Sequence, residues 1–184
     1  MSNTIFNHNI SFKGLPFSDC AWLNDFVDEV ITELHNKCGF EVRKDIEYSF
    51  SRSLTRRLGD CYYKQLNGVK FDIKIRINYK IFEAGEYKTI KNVIAHEIIH
   101  TFDGVDKHNY KFNNYARMVN AKTLLTVNTR DYNPILADNS KYIVQCCKCS
   151  NTFYRIKKSK LITETDKYKC GKCNGNLKLI KGVI

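Results

Sequence analysis

Five consecutive residues carry the most concentrated chemistry in this chain: His96-Glu97-Ile98-Ile99-His100. On a helix, a spacing of four puts both imidazoles on one side, one turn apart, where both can bind one metal ion. Glu97 follows the first imidazole and can reach a water polarised by that ion, whose pKa zinc lowers towards about 7. The carboxylate can take the water's proton as it attacks a carbonyl and then pass it to the leaving amine. An open site needs a third protein ligand and leaves the fourth position to water. His108, eight residues past His100 and beyond the turn-like Asp103-Gly104-Val105-Asp106, is the candidate. Asp103 and Asp106 are rivals, because carboxylates also bind zinc. His8 reads as a polar terminal residue and His35 as a surface residue near a helix end.

A second pattern lies near the C-terminus. Of eight cysteines, four are spaced as Cys146-x2-Cys149 and Cys170-x2-Cys173, with 20 residues between the pairs. Two-residue gaps let both sulfurs of a knuckle reach one ion, and four thiolates close a tetrahedral shell around a structural zinc. Cys147 sits inside the first knuckle and reads as a bystander. Short strands are expected at Tyr142 to Gln145, Thr152 to Ile156, Thr165 to Lys169 and Leu177 to Ile180. Gly171 and Gly175 offer permissive backbone near the second knuckle. So small a unit, with few large apolar residues, needs such a staple to fold. Cys20, Cys38 and Cys61 read as ordinary buried thiols.

Charge separates the same segment from the rest. The chain has 184 residues and a formal net charge of +11. Residues 141–184 hold 11 Lys/Arg against 2 acids, whereas residues 1–140 hold 19 against 17. Turn-favouring residues between Asn133-Pro134 and Ser140 predict a boundary, giving domains 1–138 and 139–184. A basic tail without an amphipathic lipid-binding helix suits DNA better than a membrane. Arg155, Lys157, Lys158 and Lys160 are the expected phosphate contacts, and Phe153 or Tyr154 could stack on unpaired bases. No run of about 18 apolar residues exists, and Met1 to Ile10 has no apolar signal core. The expectation is a soluble, cytoplasmic protein with no membrane partner, nucleoid-associated if bacterial or phage.

The elements that must hold these groups are legible in outline. Ser18 or Asp19 can cap a helix to about Lys37, with Trp22, Leu23, Phe26, Val27, Val30, Ile31 and Leu34 as its apolar stripe and Cys38-Gly39 as its end. Strands follow at about Ile46 to Phe50, Arg57 to Lys64 and Phe71 to Asn78, the last alternating cleanly from Phe71 onward. Asn67-Gly68 between the latter two signals a hairpin. Ile90, Ile94 and Ile98 form one face of a helix from about Tyr87 to Thr101. His108 would open a further helix to about Lys122, with Phe112, Tyr115, Ala116 and Val119 towards the core.

These motifs together resemble the SprT-like family, zinc metallopeptidase-like domains that include the Spartan DNA–protein crosslink proteases. The similarity rests on Thr55-Arg-Arg-Leu-Gly-Asp-Cys61, Val93-Ile-Ala-His-Glu-Ile-Ile-His-Thr101, His108-x3-Phe112 with Met118-Val119-Asn120, and the Tyr142–Cys149 and Tyr168–Leu177 segments of the ribbon. The resemblance implies His96, His100 and His108 as ligands of a catalytic zinc and Glu97 as catalytic acid/base. It implies an α+β, zincin-like (minigluzincin-type) domain with helices packed on a small, mainly antiparallel sheet, plus a C-terminal zinc ribbon holding a second, structural zinc. The implied substrate is protein associated with DNA. The gap from His100 to His108 is shorter than in the Spartan proteases, and Asn109 stands where the family usually has glycine; the short gap resembles compact bacterial and phage members. Tyr79, Tyr110 and Arg57 are all candidates for stabilising an oxyanion.

Overall fold

A computed structural model describes residues 7–54, 57–128, 140–155 and 157–182. The chain divides into two compact units, Met1–Tyr132 and Asn133–Ile184. The expected boundary at 138/139 lies outside the described residues.

In the first unit, helix α1 (Phe17–Glu33) begins directly after Pro16, two residues earlier than a Ser18 cap would place it. Proline presets the backbone angle for helix entry and has no N–H to leave unpaired. Asp19 instead sits in the first turn and accepts a 2.6 Å hydrogen bond from the Tyr79 hydroxyl. Cys20, Leu23, Phe26, Val27 and Val30 are buried, but Trp22 is half-exposed and stacks on Tyr87. A π-helical turn, Leu34–Cys38, prolongs the helix, and left-handed Gly39 ends it. The Gly39 and Phe40 N–H groups donate to the freed carbonyls of His35 and Leu34.

Strands β1 (Asn9–Ile10), β2 (Glu47–Ser51), β3 (Gly59–Leu66) and β4 (Val69–Asn78) form one sheet in the order β1-β2-β4-β3. Only β3/β4 is antiparallel; β1/β2 and β2/β4 are parallel, so the expectation of a mainly antiparallel sheet is corrected to a mixed one. The Asn67-Gly68 turn dictates the hairpin, but the isoleucine-rich strand of that hairpin takes the centre, where Ile73, Ile75 and Ile77 are covered. A bulge corrects a second expectation. Between Tyr62 and Lys64 the register slips by one residue, with Asp72 in a left-handed conformation (φ 52°). The extra residue reverses the in–out alternation beyond it. Phe71, expected inside, is 42% exposed, and Lys70 is fully buried in its place.

Helix α2 (Tyr79–Glu83) follows, capped by Asn78, whose side chain also donates to the Leu54 and Arg57 carbonyls. Helix α3 (Tyr87–Ile99) packs on α1 and on the β3/β4 hairpin. Helix α4 (Tyr110–Lys122) starts two residues later than expected, so His108 lies just outside it. Asn109 is the cap: its Oδ1 accepts from Phe112 N at 3.0 Å and its Nδ2 donates to the Gly104 carbonyl at 2.9 Å.

The second unit is a three-stranded antiparallel sheet, β6-β5-β7, of β5 (Tyr142–Cys146), β6 (Thr152–Arg155) and β7 (Leu177–Lys181). The strand expected at Thr165 to Lys169 is instead the end of a helical segment, α5 (Lys160–Thr163) followed by a 3-10 turn (Thr165–Lys167). Burial of Ile162 and back-bonding of the Thr165 hydroxyl to the Leu161 and Ile162 carbonyls favour the helical path, and only Lys169 makes a bridge, to Asn176.

Candidate metal centres and cleft

Helix α3 brings His96, Glu97 and His100 to its C-terminal end, with all but His100 buried. The turn after it returns His108 to the same place. Ring centroids of the three histidines lie 4.9–5.1 Å apart, and the Nε2 atoms of His96 and His108 are 3.0 Å apart. Nitrogens about 2.0–2.1 Å from one tetrahedral zinc would be roughly 3.3 Å apart, so small adjustments suffice for a shared ion. One ligating nitrogen from each ring falls within 4.8 Å of the others. The buried ring of Phe112 touches all three, at 4.6–4.9 Å between centroids, and forms an apolar floor.

The rival carboxylates fall outside the group of three, although Asp106 lines the same cleft. Asp106 accepts from Tyr63 Oη at 2.9 Å and pairs with Lys70 Nζ at 3.2 Å. Asp103 is exposed and outside the group of three. Burial, then the neighbouring His100 and His108, push His96 down to about 3; burial and His108 push His100 down to about 4. Both rings are therefore neutral at pH 7, the form that binds a metal. The Asn128 backbone carbonyl favours a proton on His96, and the Val105 carbonyl favours one on His100.

These groups line a cleft of about 540 Å³. Its opposite wall is Arg57 and the first five residues of β3, including Cys61, Tyr62 and Tyr63. Close packing of α3 on that strand explains Gly59: a Cβ there would lie 2.5 Å from Val93 Cγ1 and 3.0 Å from Glu97 Oε1. The Glu97 carboxylate thus rests on bare backbone. Cys61, expected as an ordinary buried thiol, is half-buried in the cleft wall, where burial and then the Glu97 charge push it up to about 12. Sequence reasoning missed Tyr62 and Tyr63, although Gly59, Cys61 and Tyr63 at a period of two signal one face of a strand. Of the three oxyanion candidates, only Arg57 lines the cleft; Tyr79 is tied to Asp19, and Tyr110 is exposed on α4. His35 is exposed beside Glu41, as expected, but His8 is largely buried, 3.5 Å from Asp28.

In the second unit, Cys146, Cys149, Cys170 and Cys173 converge within 4.8 Å of one another, with Sγ separations of 3.5 Å (146–173) and 3.7 Å (149–170). The knuckles repeat one plan. Cys146 N donates to the Asn151 carbonyl and Cys170 N to the Gly175 carbonyl, and the left-handed residues Ser150 and Asn174 follow each pair. Gly171 needs no special freedom, but a Cβ on Gly175 would lie 2.9 Å from Cys146 Sγ. Amides of Cys149 and Lys148 pointing at Cys146 Sγ pull that thiol down to about 6, favouring the metal-binding thiolate. Cys147 is exposed and outside the group. Arg155, Lys157, Lys158 and Lys160 are all exposed, whereas Phe153 is half-buried and packs on the unit's core.

A mixed α+β unit with a three-histidine, one-glutamate cleft, followed by a four-cysteine knuckle unit, defines a protein with two groups able to hold metal ions. The chain belongs to the SprT-like family, which it matches over residues 27–133, more than half its length. It is 31% identical to a protein described as "Protein SprT-like" from Staphylococcus epidermidis over 112 residues, 58% of this chain and 68% of that one. Proteins of the same description from Lactococcus lactis (34% over 108 residues; 58% and 66%) and Streptococcus gordonii (30% over 112 residues; 60% and 71%) are also similar. No helix among the described residues is long and apolar enough to cross a membrane.

Proposed function

We propose that this protein is a zincin-like zinc metallopeptidase acting on proteins associated with DNA. The observation that carries the reading is the convergence of three imidazoles beside Glu97 in one open cleft, with His96 and His100 held neutral by burial. His96, His100 and His108 would hold the ion, which polarises a water and the substrate carbonyl when bound. Glu97, pressed against Gly59, accepts the proton of the attacking water and returns it to the leaving nitrogen. Phe112 excludes water from beneath the trio, and the Arg57–Tyr63 wall confines the peptide opposite α3. Of the candidates for the developing oxyanion, Arg57 is the one that lines the cleft.

The quartet Cys146, Cys149, Cys170 and Cys173 would bind a structural zinc, and the exposed Arg155, Lys157, Lys158 and Lys160 would bind DNA phosphates. This division assigns proteolysis to residues 1–138 and DNA binding to 139–184, in the cytoplasm or on a nucleoid. The zinc-loaded protein should cleave an unfolded or DNA-bound protein substrate. Glu97→Gln should reduce turnover by about 10²–10⁴-fold or more with unchanged zinc content. Equal turnover in that variant rejects the mechanism.

A second reading has its own support in the basic second unit: a non-catalytic DNA-binding accessory whose metal sites only hold the fold. It requires normal DNA affinity in Glu97→Gln and no turnover by the wild type on any protein substrate.

A further inference from the structure

Lys70 is a buried ammonium that the proposed chemistry does not use. The bulge at Asp72 turns it inward, where it has no exposure to solvent. Its Nζ donates to the carbonyls of His100 (2.9 Å), Phe102 (2.9 Å) and Val105 (3.1 Å). It also pairs with Asp106 at 3.2 Å and sits 4.5 Å above the Tyr63 ring. All three carbonyls belong to the turn that leaves α3 at His100 and delivers His108. That turn holds few bonds of its own, chiefly Thr101 N to Ile98 O, Phe102 N to Ile99 O and Val105 N to Phe102 O. An ammonium also suits the negative end of the helix dipole.

We infer that Lys70 is the positioning residue of the three-histidine site: it clasps the 100–106 turn and thereby sets where His108 meets His96 and His100. The inference rests on the metal-binding reading above. Lysine suits the task because three tetrahedral donors can point at three carbonyls converging from one side, whereas the flat guanidinium of arginine cannot. Asp106 and Tyr63 complete the clasp from the cleft side, through the 2.9 Å bond between them. The Val105 carbonyl gives a direct link to a ligand, since it faces both Lys70 Nζ and the His100 ring. Partners behind metal ligands typically change affinity by about 10–100-fold when removed.

The test is a cobalt(II) titration of the full chain, wild type against Lys70→Met. Thiolate charge-transfer absorption reports the cysteine quartet, and the remaining ligand-field bands report the histidine site. Lys70→Met should bind cobalt about 10–100-fold more weakly at the histidine site, with altered ligand-field bands and an unchanged thiolate signal. Unchanged affinity and bands in a folded Lys70→Met protein overturn the inference. If Lys70→Met does not fold, Asp106→Ala decides: a shifted histidine-site spectrum supports the clasp, and a wild-type spectrum overturns it. A wild type that binds cobalt only at the quartet instead rejects the metal reading of the histidines, a result separable from the other two.

Discussion

A single hydrogen at Gly59 decides how closely Glu97 can lie against β3. Gly59→Ala must push Val93 or Glu97 away, because the new Cβ would fall 2.5 Å from Val93 Cγ1. The expected cost is about 1–3 kcal/mol of stability together with lost turnover, read by urea denaturation and a protease assay. Full activity with native stability would show that the helix can shift freely. The histidines make a second residue-scale prediction. Their folded values of about 3 and about 4 lie below the ordinary 6.5, so the unfolded chain binds more protons in between. Metal-free protein should therefore keep its stability above about pH 6.5 and lose it progressively as pH falls towards 4 and then 3. A thermal midpoint of the metal-free protein that stays flat from pH 7 to about 4 would contradict the burial of these rings.

At the scale of elements, the helix bearing His96 and His100 was legible because its apolar period and its ligand spacing share one geometry. Strand β4, packed against it, was legible only as a strand. Its bulge has no local signature strong enough to predict: Asp72 is an ordinary polar residue in an alternating run, and only the pairing with β3 shows that one residue is surplus. Hence Phe71 reads as buried and Lys70 as exposed, when the reverse holds. The start of α4 shows how a cap and a ligand are coupled. Asn109 satisfies Phe112 N and ties back to Gly104, so it holds both ends of the segment carrying His108. Asn109→Ala should cost about 1 kcal/mol in urea denaturation and weaken metal binding at the histidine site. Asn109→Ser should recover most of the stability and little of the metal affinity, because it restores the cap but not the link to Gly104. Equal recovery of both would disconnect the cap from the site.

For the whole molecule, the two units depend on metal differently. Among the described residues, the second has a buried cluster of Val144, Cys146, Ile162, Cys170 and Leu177 alone, two of which are themselves members of the quartet. Chelation should therefore abolish hydrogen-exchange protection in β5–β7 while leaving that of α1 and α3, which rest on an apolar core of their own. Protection surviving in both would make the quartet dispensable. The charge asymmetry belongs to this scale too. Neutralising Arg155, Lys157, Lys158 and Lys160 together should lower the slope of log affinity against log salt by about 3–4 in a DNA-binding titration. An unchanged slope would move the contact surface elsewhere. What the sequence alone determined was every group whose geometry is local: the i, i+1, i+4 arrangement on α3 and the two knuckles, because a helical turn or a two-residue loop sets those distances wherever it occurs. Tertiary structure alone brought His108, and neither Asp103 nor Asp106, into one group with His96 and His100, brought Cys61 and Tyr63 to the cleft and turned Lys70 inward. Those choices hang on strand register and on where a turn lands, which are settled by pairing and packing between residues that are not sequence neighbours.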